Sequence, residues 1–172
     1  IEDKKGLKKN SLFKDQSSVQ QDSVNDFCKK IEVIKKTRKS KDFLIGARIE
    51  SFILGKGLRD SLRRAIAYSK AGADLILIHS KEKTPKEIFL FAKKFKKSNH
   101  FKPLVSVPST YSKTTEKQLI ENGFKVVIYA NQLLRAALPA MENAAKIILK
   151  NKRSFELENK ISSVKEIISL IK

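Results

Sequence analysis

Four apolar runs in this 172-residue sequence end, on their C-terminal side, in residues able to do chemistry. "LIGA" leads into Arg48, Glu50 and Ser51, and "LILI" leads into His79 and Ser80. "LVSV" leads into Pro108, Ser109, Thr110 and Tyr111, and "VVIYA" into Asn131. Polar residues at strand ends are expected in any fold, so the pattern alone does not make a site. Arg48 is the exception. A guanidinium that follows four apolar or small residues, still within a strand, must have its charge paired or face a ligand. Its planar fork of donors matches phosphate or carboxylate. His79, at a neighbouring strand tip, reads either as a satisfied strand-end histidine or as a proton donor and second anion contact. Near the start of the chain, Lys8, Lys9, Asn10 and Ser11 lie on a polar segment suited to close over an anion as a lid. Together these residues describe a cleft for a small phosphorylated or carboxylated substrate.

The carboxylates near strand ends are Glu2, Asp3 and Glu50. A Mg²⁺ ion takes one or two carboxylates plus waters and substrate oxygens, so Glu2 supplies part of such a site and not all of it. There is no P-loop, dinucleotide glycine fingerprint, HExxH or CxxC, and nucleotide and zinc chemistry lack support. A lone cysteine, Cys28, excludes an internal disulfide and fits a reducing cytoplasm; beside Phe27 on a helix it reads as a packing residue. The net charge is +19, but the lysines are spread over nearly every helix and lack interleaved aromatics. That distribution reads as a solvated surface attractive to small anions, and nucleic acid is not the expected partner. No apolar run approaches the roughly 20 residues a membrane helix needs, and no signal-peptide pattern opens the chain.

The elements that must position these residues alternate without a break. "SVNDFCKKIEVIKKTRK" is a helix, and "DFLIGARIES" a strand of continuous apolar character. "LRDSLRRAIAYSKAG" carries Leu58, Leu62, Ala65 and Ile66 at helical spacing and stops at Gly72 as a C-cap. "ADLILIHS" is the next strand. Thr84, Pro85 and Glu87 predict a capped helix start, and Ile88, Phe91 and Phe95 share one side of that helix. "KPLVSVPST", "TTEKQLIEN" and "FKVVIYAN" follow as strand, helix and strand, with Gly123 ending the helix. A long Ala/Leu-rich helix spans roughly 131–150, and "SVKEIISLI" is a short amphipathic helix. Strands without polar alternation predict burial on both faces, hence parallel strands covered by helices, the pattern of an α/β fold in one domain. Sites in such folds lie at the carboxyl ends of the strands.

Residues 2–11, "EDKKGLKKNS", fit the EDK-x5-NS motif of the phosphoenolpyruvate mutase family in the isocitrate lyase superfamily. "ARIESFILGKGLRDSLRRAIAYSKAGADLILIHSK" resembles that family's next two strands and the helix between them. "PLVSVPSTYSKT" and "VVIYANQLLRAA" resemble its last two barrel strands and the following helix, and "ISSVKEIISL" also has a counterpart. The similarity runs through essentially the whole chain in order.

The resemblance implies the C-terminal part of a TIM-type (β/α)8 barrel, from the end of strand 4 through strand 8 and the following helices. It also implies an enzyme interconverting phosphoenolpyruvate and phosphonopyruvate, which forms the P–C bond of phosphonates. Glu2 is then expected to help hold Mg²⁺ through water. Lys8, Asn10 and Ser11 belong to a gating loop over residues 5–21, with Lys8 and Asn10 near the transferring phosphoryl group. Arg48 and His79 bind and stabilise that group. The family's nucleophilic aspartate and principal metal carboxylates lie upstream of Glu2, so the chain reads as a fragment, inactive and prone to aggregate alone. In that reading Ile1 ends a buried strand. A homo-oligomer, dimer or tetramer, is implied, for which the helix after Asn131 suits packing between subunits. Lys56 and Tyr129 stand where the family commonly has tryptophan, and Leu7 where it commonly has proline. Phosphonopyruvate hydrolase is the nearest alternative activity, with Asn10 favouring the mutase; a non-catalytic basic module is the alternative of another class.

Overall fold

The computed structural model describes residues 1–6 and 9–171; Lys8, one of the expected site residues, lies outside them. The chain divides into two compact units, Ile1–Tyr129 and Ala130–Lys172.

The first unit is built on a parallel sheet of β3 (Gly46–Ile49), β4 (Leu75–Ile78), β5 (Leu104–Ser106) and β6 (Phe124–Val127), adjacent in sequence order. Glu2 forms a parallel bridge with Arg48, so residues 1–3 run beside β3 as a further parallel segment. The helices α1 (Val24–Thr37), α2 (Gly57–Ala71), α3 (Lys86–Phe95) and α4 (Glu116–Glu121) connect these segments. This succession of neighbouring parallel strands and intervening helices is the C-terminal part of a TIM-type barrel, from the end of strand 4 through strand 8.

The expected helix signals are present in most places. Ser23 caps α1 by accepting from the Asp26 N–H, and Phe27 and Ile31 bury one face of that helix. Gly72 ends α2 with φ at 116°, a conformation that favours glycine. Ile88, Phe91, Ala92 and Phe95 turn the buried stripe of α3 onto the sheet. Thr84 is a correction: α3 begins after Pro85 without a side-chain cap, because Glu87 accepts a hydrogen bond from Ser80 instead of turning back to the helix start.

Burial on both strand faces is corrected for β3 and β4. Ala47, Ile49, Ile76 and Ile78 are buried in the same core as Phe27, Ile31, Tyr68 and Phe91. The alternate residues Gly46, Arg48, Leu75 and Leu77 are only half-buried and face a groove of about 370 Å³ that Val126 and Ile128 also line. Period-two geometry therefore gives β3 and β4 two distinct faces although their sequence does not alternate, whereas β5 is buried throughout, as expected. The strand expected over "DFLIGARIES" is shorter, since Phe43 and Leu44 lie exposed before it. Ile1, expected at a buried strand end, pairs through its backbone with β3 but is 48% exposed.

The polar segment after Asp3 is closed at its base by β1 (Lys4–Lys5) pairing antiparallel with β2 (Gln20–Gln21). In the second unit, α5 (Gln132–Asn151) contacts a 3-10 turn over Phe155–Lys160 that buries Leu157, and α6 (Val164–Ser169) starts with a capping box from Ser163 and Glu166. No helix of the described residues is long and apolar enough to cross a membrane.

Candidate functional site

The site follows from strand parity at the carboxyl ends. Successive side chains point to opposite faces, so Arg48 and Glu50 share the groove-facing side of β3 and its extension. Glu2 bridges Arg48, and Lys4 follows it at the same parity. The four meet around Ser11, which the loop carries back to them. Arg48 donates from Nε to Glu50 Oε1 at 2.6 Å and from Nη2 to Ser11 Oγ at 2.9 Å. Lys4 Nζ donates to Ser11 Oγ at 2.8 Å and to the Lys9 carbonyl at 3.1 Å. Ser11 in turn donates to Glu50 Oε2 at 2.6 Å. A hydroxyl has one proton to give and two lone pairs, and Ser11 uses all three.

Lys4 Nζ also lies 3.1 Å from Glu50 Oε2, and Glu2 Oε1 lies 3.7 Å from Lys4 and 3.6 Å from Arg48. Two cations and two carboxylates thus balance one another. Burial alone would raise the Glu50 carboxyl; the Arg48 charge and the Ser11 and Arg48 hydrogen bonds outweigh it and hold the group below its ordinary range. His79 continues the groove-facing parity of β4 and is 5% exposed. Burial, reinforced by the charges of Arg48 and Lys4 against that of Glu50, pushes its imidazole down to about 4. It is neutral at pH 7, and its buried Nδ1 has no hydrogen-bond partner among the described residues.

The opposite parity builds a second polar cluster beneath the loop. Asp3 is fully buried, accepting from Tyr68 Oη at 2.8 Å, Arg64 Nη1 at 3.2 Å, Gln21 Nε2 at 2.8 Å and the Glu50 backbone N–H at 3.0 Å. Burial raises its carboxyl above the ordinary value, the more so because these partners only partly offset it. Arg64, itself buried, also donates to the Asp22 carbonyl at 2.9 Å and to Asp60 at 2.8 Å. One guanidinium therefore joins α2 to both ends of the loop.

Of the residues expected at the site, the structure brings together Glu2, Ser11, Arg48 and His79. Asn10 is exposed: its Oδ1 accepts from the Leu12 N–H at 2.9 Å, and its carbonyl accepts from Gln16 at 2.9 Å. It shapes the loop turn and does not reach the cluster. Lys9 pairs with Asp15 at 2.8 Å. Lys4 and the hub role of Glu50 escaped the sequence reading, although counting by two from Glu2 and from Arg48 points to each. Among the described residues no group of three or more His, Cys, Asp or Glu is placed to hold a metal. Glu50 already serves three donors and Glu2 pairs with Lys4 and Arg48, so the chain's own residues fit Mg²⁺ only in part.

The family model described as phosphoenolpyruvate phosphomutase matches residues 1–149. The phosphoenolpyruvate phosphomutase of Tetrahymena pyriformis is 38% identical over 170 residues, covering 99% of this chain and 55% of that protein. The crystal structure of phosphoenolpyruvate phosphomutase from Streptomyces platensis subsp. rosaceus is similar with a TM-score of 0.91 at 36% identity, covering 99% of this chain and 57% of that one. A phosphonopyruvate hydrolase in complex with oxalate and Mg²⁺ is similar with a TM-score of 0.86, also at 36% identity, over 99% of this chain and 56% of that one. The chain spans about half the length of the curated relatives it matches.

Proposed function

The chain belongs to the phosphoenolpyruvate phosphomutase family, and from that premise we propose that it forms the phosphoryl-binding side of a mutase interconverting phosphoenolpyruvate and phosphonopyruvate. The observation that carries this reading is Arg48 at a strand tip, held edge-on by Glu50 and Ser11 beneath a closed loop. Nε and Nη2 are engaged there, and the remaining donors of the fork meet the incoming phosphoryl oxygens. His79, neutral and buried, offers a hydrogen bond to the same group without adding a charge that must be desolvated. Lys8 is the further contact assigned to the gating loop, and Asn10 closes the turn that presents Ser11 to Arg48 and Glu50. In the mutase direction the phosphoryl leaves the enol oxygen and bonds to the methylene carbon, which makes the P–C bond from which phosphonates are built. Catalysis of such a transfer rests on positioning and charge neutralisation. Glu2 would help to hold a Mg²⁺ ion, which would supply charge neutralisation at the substrate oxygens; the nucleophile and the remaining metal ligands are assigned outside residues 1–172.

The test is ³¹P NMR of phosphonopyruvate with Mg²⁺ and the natural protein that carries this chain. Growth of a phosphate-ester signal supports the mutase. Growth of inorganic phosphate with pyruvate, water having cleaved the P–C bond, transfers the assignment to the hydrolase. Arg48→Lys, which keeps the charge and loses the fork, is expected to lower kcat/KM by about 100-fold; unchanged turnover would remove Arg48 from the binding role.

A further inference from the structure

We propose that Glu50 is a positioning residue that couples loop closure to the orientation of Arg48, with Ser11 as the contact through which the two communicate, a role that rests on the anion-binding reading of Arg48. The Glu50 side chain is fully buried, and its two oxygens divide their work. Oε1 holds Arg48 through Nε at 2.6 Å, while Oε2 takes the Ser11 hydroxyl at 2.6 Å and lies 3.1 Å from Lys4. The Glu50 backbone N–H is tied to buried Asp3, which fixes the main chain from which the carboxylate reaches both partners.

Ser11 arrives from 39 residues away in sequence and closes a ring: Arg48 to Glu50, Glu50 to Ser11, and Ser11 back to Arg48. With the loop closed, the guanidinium is gripped at Nε and Nη2, which fixes both its position and its plane. With Ser11 withdrawn, Nη2 and Lys4 each lose an acceptor, and Arg48 keeps the Nε hydrogen bond to Glu50 and the longer ion pair with Glu2, both at one edge of the fork. Its side chain is 29% exposed, so water then competes for it. Closure therefore completes the anion-binding geometry, and an anion that fixes Arg48 must favour closure by the same factor. A lid that assembles the site in this way commits the bound substrate.

The experiment uses the natural protein carrying this chain, with Glu50→Gln, Ser11→Ala and the double variant. Trypsin cleavage within residues 9–14 reads loop opening, with and without oxalate plus Mg²⁺, and phosphonopyruvate turnover is followed in parallel. Each single variant is expected to raise the cleavage rate about tenfold, and the double variant no more than either single, since both remove one shared link. In turnover, kcat is expected to fall about tenfold with KM changed less than about threefold, because closure follows binding. Wild-type cleavage rates in the single variants, or singles that add to about a hundredfold in the double, would overturn the coupling. If Glu50→Gln does not fold, Ser11→Ala alone decides it by the same cleavage criterion. A wild-type protein that leaves phosphonopyruvate untouched would sink the proposed function, while the cleavage rates would still decide the coupling.

Discussion

His79 and Arg48 stand at neighbouring strand tips in different surroundings. Arg48 is paired with Glu50, whereas His79, with its imidazole pushed down to about 4 by burial and the nearby cations, stays neutral at pH 7. Unfolded, the same imidazole takes a proton near pH 6.5. Between these values the unfolded chain binds more protons than the folded one, so acid must lower stability as pH falls from 6.5 to 4, with the full contribution restored above 6.5. Urea midpoints are expected to fall through that window and to fall less steeply in His79→Asn; parallel slopes would show that other groups carry the pH dependence. Arg48 was legible in the sequence because a charge after four apolar or small residues has few explanations. Asn10 was legible as part of a polar lid segment and as a motif residue. Its side chain closes a local turn, and nothing in residue type distinguishes that from a ligand contact.

At the scale of elements, the loop over residues 5–21 is anchored at both ends, not merely hinged. β1 pairs with β2, the Asp22 N–H donates to the Asp3 carbonyl, and Arg64 on α2 grips the Asp3 carboxylate and the Asp22 carbonyl. Arg64→Met leaves the buried Asp3 without its cation and is expected to cost about 3–5 kcal/mol in urea unfolding. Combining it with Asp3→Asn should recover part of that loss, since the amide needs no counter-charge; a strictly additive pair would show that the two do not act together. The i,i+4 spacing of Asp60, Arg64 and Tyr68 was visible in sequence, but their meeting with Asp3 was not, because Arg64 and Asp3 are 61 residues apart. Thr84 shows the converse. A local capping signal lost to a tertiary partner, Ser80, which claims Glu87.

For the whole molecule, apolar surface remains after each unit has folded. Val126 and Ile128 line the groove face of the sheet, each 40% exposed, and α5 turns Leu134, Leu138 and Met141 outward along one stripe. Residues 1–172 expressed alone are therefore expected to self-associate. Sedimentation velocity should show species heavier than the 19.5 kDa chain, and a single boundary at that mass would contradict it.

The sequence by itself determined the order of strands and helices, their parallel arrangement, Arg48 as a charge needing a partner, and the loop motif that reveals the family. These are carried by periodicity, breakers and short spacings, which are local. The tertiary structure alone decided which strand face is covered, that Lys4 and Glu50 complete the cluster, and that Ser11 joins it while Asn10 does not. Those outcomes depend on which segments lie side by side: the bridge between Glu2 and Arg48 brings two polar sequences into register, and only then does each side chain acquire its partners.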